Sequence, residues 1–201
     1  MLDVNQVYCG DCLELMKELP DKSVDLVLTD PPYGLNKKMS GGTWGIKYNH
    51  SDMIKWDYLV SDEYLKELFR ISKNQIIWGG NLYNLPPSRC WQIWEKPHLP
   101  TLSDFEMAWT SFDKVSKIHR HNRNGLNFHP TEKPLGLFIN LLIDYSKPGD
   151  TILDPFLGLG TTAVACIKTN RNYIGIEIDP EYYKVAKKRI ECEKMQLKLE
   201  F

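Results

Sequence analysis

With 201 residues the chain is long enough for one α/β domain with a sizeable core and too short for two. Its 42% hydrophobic and 25% charged residues match an ordinary soluble globular protein, and no apolar run approaches the roughly 20 residues that span a bilayer. A net charge of -1 excludes a uniformly basic surface, so contact with a polyanion would have to come from a local patch.

The start, Met1-Leu2-Asp3-Val4-Asn5, lacks the basic and apolar stretches of a signal peptide, and a cytoplasmic location is expected. A first strand is predicted over Val4 to Cys9. A helix follows with Cys12, Leu15, Met16 and Leu19 on one stripe, ending at Pro20. The five cysteines are scattered. Cys9-Gly10-Asp11-Cys12 has no second pair to complete a four-ligand set, so it reads as a strand-to-helix turn and no metal site is expected. Val24 to Thr29 is a buried-type strand running into Asp30-Pro31-Pro32-Tyr33.

The polar, glycine-containing stretch 34–58 reads as a mobile loop, a length that in compact domains is functional or disordered. Ser61 or Asp62 caps a helix to about Ser72 that buries Leu65, Leu68 and Phe69. Gln75 to Gly79 is the next strand. Trp91 to Trp94 and Phe105 to Thr110 form a further pair, within a stretch 86–128 assigned to target reading. Lys114, Lys117, His119, Arg120, His121 and Arg123 crowd one segment with Asp113 as the nearby acid. This segment is either a solvated loop or a phosphate-contacting element.

Pro134 opens a helix with Phe138, Leu141, Leu142 and Tyr145 on its apolar face. Strand Thr151-Ile152-Leu153 leads into Asp154-Pro155-Phe156-Leu157-Gly158-Leu159-Gly160-Thr161-Thr162 and another helix. Asn172 to Ile178 is the last strand, and Asp179-Pro180 begins a terminal helix with Tyr182, Val185, Ala186 and Ile190 on its stripe. Strands alternating with helices imply one domain over 1–201 with a mostly parallel central sheet flanked by helices. Of six tryptophans, Trp78, Trp94 and Trp109 fall in strands and are expected in the core. Trp44 falls in the glycine-rich loop, as a lid over a base or as surface packing.

Two strands end alike, in an Asp followed by Pro. In open α/β sheets ligands bind beyond the carboxyl ends of strands where the strand order reverses, so Asp30 and Asp154 would face one crevice if their strands are neighbours. Gly158 and Gly160 let the backbone approach a ligand, and Glu177, one strand later, suits a ribose diol. An adenosine-type cofactor is expected there. Gly158-x-Gly160-x-x-Ala163 alone would fit a nucleotide-dependent oxidoreductase equally well.

The segment Asp30 to Tyr33 tips the balance. An exocyclic amine on a base is a poor nucleophile, because its lone pair is delocalised into the ring. A carboxylate accepting one N–H and the Pro31 carbonyl accepting the other would free that lone pair to attack a methyl in line with a sulfonium. Pro31 and Pro32 fix that carbonyl, and Tyr33 offers a face for stacking worth about 1–3 kcal/mol. The base would have to flip out of the duplex.

The residues Gly10-Asp11-Cys12, Asp30 to Tyr33, His129-Pro130-Thr131-Glu132-Lys133-Pro134, the turn 154–162 and Glu177 stand in an order that resembles the permuted beta type of amino-group DNA methyltransferases. That resemblance implies a Rossmann-like S-adenosylmethionine-dependent methyltransferase fold with permuted motif order. It implies DNA as partner, the N6 of adenine as target because Asp rather than Ser stands at 30, and N4 of cytosine as the alternative.

By the same similarity Asp11 and Cys12 would contact the cofactor adenine and Glu177 its ribose. Thr131 and Lys133 would lie near the methionine carboxylate. Asp30, Asp154, Phe156, Gly158, Gly160, Thr161 and Thr162 would line the pocket. DNA contacts would come from Trp44, Lys114, Lys117, Arg120 and Arg123. The family turn commonly has a small polar residue where this chain has Leu159, and the stretches available for reading DNA are short. A short or relaxed target, or help from a second subunit in a homodimer, is compatible with this. A catalytically silent DNA-binding module is opposed by the intact Asp30 and Tyr33.

Overall fold

The computed structural model describes residues 2–34, 59–96, 103–122 and 133–199. Trp44, Arg123, Thr131 and nearly all of the 34–58 loop lie outside the described residues. The strands are β1 (Gln6–Cys9), β2 (Val24–Thr29), β3 (Ser72–Trp78), β4 (Trp91–Glu95), β5 (Phe105–Thr110), β6 (Lys117–Arg120), β7 (Thr151–Asp154) and β8 (Asn172–Glu177). The helices are α1 (Cys12–Met16), α2 (Asp62–Ile71), α3 (Leu135–Tyr145), α4 (Thr161–Lys168) and α5 (Pro180–Leu199).

The strands make one sheet in the order β1-β8-β7-β2-β3-β5-β4-β6. All neighbours are parallel except β3–β5 and β5–β4, so the architecture is the Rossmann-like α/β sheet expected. Central strands are buried on both faces, which is why β2 and β8 read as near-continuous apolar runs. Alternation along each strand sorts side chains between two cores. Leu26, Leu28, Ile76, Trp78 and Ile152 pack with α3 and α4, while Val27, Ile77 and Leu153 pack with α1 and α2. Trp78, Trp94 and Trp109 are all buried.

Local chemistry fixes the ends of the helices. Asp11 caps α1 by accepting from the amides of Leu13 and Glu14, and Ser61 caps α2 by accepting from Tyr64. Pro134 stands at the cap position of α3, where its missing N–H leaves no helical bond unmade.

Three expectations need correction. The basic run does not form a loop: Lys117–Arg120 is edge strand β6, paired parallel with β4, and only His119 turns inward. An edge strand exposed on one side needs little apolar content, and cationic side chains there discourage pairing with other chains. On α5, Ala186 and Ile190 are buried but Val185 is 46% exposed, so the buried stripe is narrower than the sequence suggested. The first strand begins at Gln6, with Val4 exposed. Strands β4, β5 and β6 all belong to the main sheet.

Candidate active site

The site forms where β2 and β7 lie side by side. From β2 the chain continues to β3 on one flank, and from β7 to β8 on the other, so the sheet order reverses at this seam. Thr29, the last residue of β2, donates its hydroxyl to Asp154 Oδ1 at 2.9 Å. The turn after β2 and the turn after β7 therefore border one crevice.

On the β7 side, the Asp154 carboxylate also accepts from the Phe156 amide at 3.1 Å and from the Thr162 hydroxyl at 2.5 Å. Burial pushes its carboxyl up to about 7, against the pull of those donors. Asp154 braces the strand ends and the turn from inside. Thr161, whose hydroxyl accepts from Arg189 on α5 at 3.2 Å, faces the protein as well.

The turn itself needs its glycines. Gly158 and Gly160 hold φ of 54° and 86°, the left-handed region that strains other residues. A Cβ built on Gly158 would meet nothing within 4 Å. The backbone there faces open space of the kind a ligand can occupy.

Glu177 ends β8 and lies against that turn. Its Oε2 accepts from the Gly158 amide at 2.8 Å and its Oε1 from the Asp179 amide at 2.8 Å. Burial pushes its carboxyl up, and those amides pull it back. Cys9 stands opposite Glu177 in the β1–β8 register, and the Gly10 amide donates to the Glu177 carbonyl at 3.0 Å, which brings Asp11 and Cys12 to the same wall. Burial and the Asp11 carboxylate push the Cys12 thiol up to about 12, so it is no thiolate nucleophile.

On the β2 side, Asp30 accepts from the Tyr33 hydroxyl through Oδ1 at 2.6 Å and from the Lys133 ammonium through Oδ2 at 2.6 Å. Its side chain stays 22% exposed, so the carboxylate is still reachable from the crevice. Burial pushes its carboxyl up and the Lys133 ammonium opposes that push. The Tyr33 ring lies on Gly79, where a Cβ would come within 2.3 Å of the ring and where φ is 65°. Position 79 needs glycine on both counts. The Tyr83 hydroxyl donates to the Pro32 carbonyl at 2.5 Å and anchors the double proline.

Lys133, just before α3, is 97% covered: 3% of its side chain is exposed. Its three N–H groups meet Asp30, Glu106 Oε2 at 2.9 Å and the Tyr33 hydroxyl at 3.2 Å. The side chain that the resemblance put beside a methionine carboxylate thus sits on Asp30.

Among the described residues, the basic residues assigned to DNA lie on and just before the outer edge strand β6. Arg120 lies at the same end of the sheet as Asp30 but on the outer edge, four strand spacings or about 19 Å from β2, and pairs with Glu95 at 2.8 Å. Lys114 precedes β6 and Lys117 begins it, three residues before Arg120 on the same outer edge. There both are held by Asp144, through its backbone carbonyl at 3.0 Å and its carboxylate at 2.9 Å respectively.

Several site residues escaped the sequence reading. Tyr64 on α2 is 3% exposed, packs on Phe156 with ring centroids 5.1 Å apart, and stands near Cys12, Thr29 and Asp154. Its hydroxyl has no hydrogen-bond partner among the described residues. The signal was present: Tyr64 shares the helical phase of Leu65, Leu68 and Ile71. Glu106 on β5 was signalled more weakly, as an acid in phase with buried Ala108 and Thr110.

A family model described as DNA methylase matches residues 81–188, a little over half of the chain. Among curated proteins, the Type II methyltransferase M2.MboI of Moraxella bovis is 28% identical over 97% of this chain and 90% of its own length. M.HinfI of Haemophilus influenzae is 27% identical over 93% of this chain and 68% of its own length. Among solved structures, a putative DNA modification methylase from Thermus thermophilus, crystallised with S-adenosyl-L-methionine, aligns with a TM-score of 0.62 at 22% identity, covering 93% of this chain and 95% of that one. The cytosine-N4-specific PvuII DNA methyltransferase aligns with a TM-score of 0.65 at 19% identity, covering 93% and 86%.

Proposed function

The chain belongs to the DNA methylase family of N6-adenine and N4-cytosine methyltransferases, and from that premise we propose that it methylates the exocyclic N6 of adenine in DNA, with S-adenosylmethionine as methyl donor. The observation that carries this reading is the Thr29–Asp154 hydrogen bond, which joins the carboxyl ends of β2 and β7 and so gives Asp30 and the glycine turn one crevice.

The wall around that turn suits the cofactor. The open face of Gly158, the carboxylate of Glu177 and the hydroxyl of Tyr64, which has no partner among the described residues, offer it a backbone cradle, a diol acceptor and a buried polar contact. Glu177 would take the ribose hydroxyls through lone pairs its two amide donors leave over, with Asp11 and Cys12 beside the adenine and Phe156 and Tyr64 as apolar lining. In this reading Asp154, Thr161 and Thr162 shape the turn rather than touch the ligand.

When bound, S-adenosylmethionine supplies an electrophilic methyl on a sulfonium. Asp30 accepts one N–H of the base amine and the Pro31 carbonyl the other. The Asp30 carboxylate would also take up the proton that the amine nitrogen loses on methylation. Tyr33, steadied by Gly79 and by its bond to Asp30, presents its ring to the flipped base. Lys114, Lys117 and Arg120, and Trp44, Thr131 and Arg123 outside the described residues, remain candidates for DNA and cofactor contacts. A homodimer would enlarge the short target-reading surface.

Incubation with labelled cofactor and unmethylated DNA, followed by digestion to nucleosides, tests the base assignment. The N6-methyl deoxyadenosine nucleoside is the labelled product expected, and the N4-methyl deoxycytidine nucleoside would replace it with the family alternative.

A further inference from the structure

Behind Asp30 lies a row of buried charges that the methyl-transfer chemistry above leaves without a role. Lys133 bridges Asp30 at 2.6 Å and Glu106 at 2.9 Å, and Glu106 in turn meets Lys96 at 3.0 Å through its other oxygen. The row alternates in sign, Asp30, Lys133, Glu106, Lys96, and runs from the end of β2 through the segment before α3 to the start of β5 and the end of β4. Lys133 and Lys96 are 3% and 7% exposed in their side chains, so solvent screens these charges little.

This arrangement meets a physical difficulty of the reaction. As the amine attacks, positive charge develops on its nitrogen beside Asp30. A lone ammonium 2.6 Å from the same carboxylate would oppose that charge, although it also fixes the carboxylate in place. Glu106 offsets the ammonium. We infer that Glu106 is a positioning residue: it holds Lys133 in a geometry that orients Asp30, and it cancels the field of Lys133 at the reacting nitrogen. Lys96 steadies Glu106 from the far side. The inference rests on the methyl-transfer reading and adds a specific division of labour to it.

Among the described residues, the charged and titratable groups facing Asp30 are Lys133, Glu106, Tyr33 and Asp154. Because signs alternate along the row, neutralising its members should move the ionisation of Asp30 in opposite directions. Glu106→Gln leaves Lys133 unopposed and should shift the acid limb of the kcat–pH profile to lower pH, while plateau kcat falls about tenfold. Lys96→Gln removes a cation and should shift that limb to higher pH. The KM for S-adenosylmethionine should hold in both. Limbs displaced in one direction, or lowered kcat with unmoved limbs, would mean general loosening of the site and overturn the inference.

Inactive wild-type protein that still binds the cofactor would instead overturn the underlying reading. A measurement without variants guards against misfolding. In the wild type the Lys133 ammonium, held by three acceptors, should give a slowly exchanging proton–nitrogen NMR signal. Exchange as fast as that of exposed lysines would contradict the row.

Discussion

The seam between β2 and β7 and the outer edge between β4 and β6 are both parallel pairs, yet they treat polar side chains in opposite ways. At the seam Thr29, Asp154, Thr162 and the Phe156 amide form one closed set of hydrogen bonds. At the edge the ion pairs of Lys117 with Asp144 and Arg120 with Glu95 are substantially exposed, where such pairs contribute about 0–1 kcal/mol. The difference teaches where chemistry can be placed. Precise geometry for a reacting atom belongs at the seam, where packing and buried hydrogen bonds fix each group. The edge holds its charges in exposed pairs that fix geometry less firmly.

This contrast can be broken or sharpened by substitution. Asp154→Ala should cost about 2–4 kcal/mol in denaturant unfolding, because it strands three donors in the interior. The same residue has a pH signature. Its carboxyl is raised from 3.8 to about 7 in the folded protein, so the native state binds more protons than the unfolded one across that range. Its stabilising contribution is complete below about pH 4 and lost as pH rises through 7. Asp154→Asn should flatten that part of the Tm–pH curve, and an unaltered slope would show that another group sets it.

Glu177→Ala should weaken cofactor binding by about ten- to a hundredfold, or roughly 1.4–2.7 kcal/mol, read by calorimetric titration. It removes the acceptor for the Gly158 amide as well as the proposed diol contact. Tyr64→Phe should act in two directions at once. Losing a buried hydroxyl without a partner leaves the free protein as stable or slightly more so, by up to about 1 kcal/mol, while cofactor affinity falls severalfold. A drop in stability with affinity unchanged would remove Tyr64 from the pocket. Smallest of all, Lys117→Ala should change stability by less than about 0.5 kcal/mol and leave kcat for methyl transfer near normal, as its exposed ion pair on the outer edge strand implies.

The same contrast explains what could be read from the chain alone. The seam was legible because two apolar runs stop at Asp-Pro, and a strand buried on both faces has a plain signature. Strand β6 was not, because four residues reading Lys-Ile-His-Arg carry no continuous apolar run and their charges suggest a solvated loop. The partnership of Lys133 with Asp30 and Glu106 was also hidden. A lysine in a sequence gives no sign of burial, and its partners stand 103 residues away in one case and on a different strand in the other. Tyr64 lay in plain helical phase, but phase reveals burial and not that a hydroxyl lacks a partner.

The central claim is that Asp30 acts on a nitrogen brought to the crevice it shares with the glycine turn. The most direct measurement pairs methyl transfer to unmethylated DNA with the rise in Tm caused by S-adenosylmethionine, for wild type and Asp30→Ala. The account predicts that transfer by Asp30→Ala falls by at least about 10²–10³ while the cofactor still raises its Tm, since the carboxylate acts chiefly in the transition state. Near-normal turnover by that variant would contradict it.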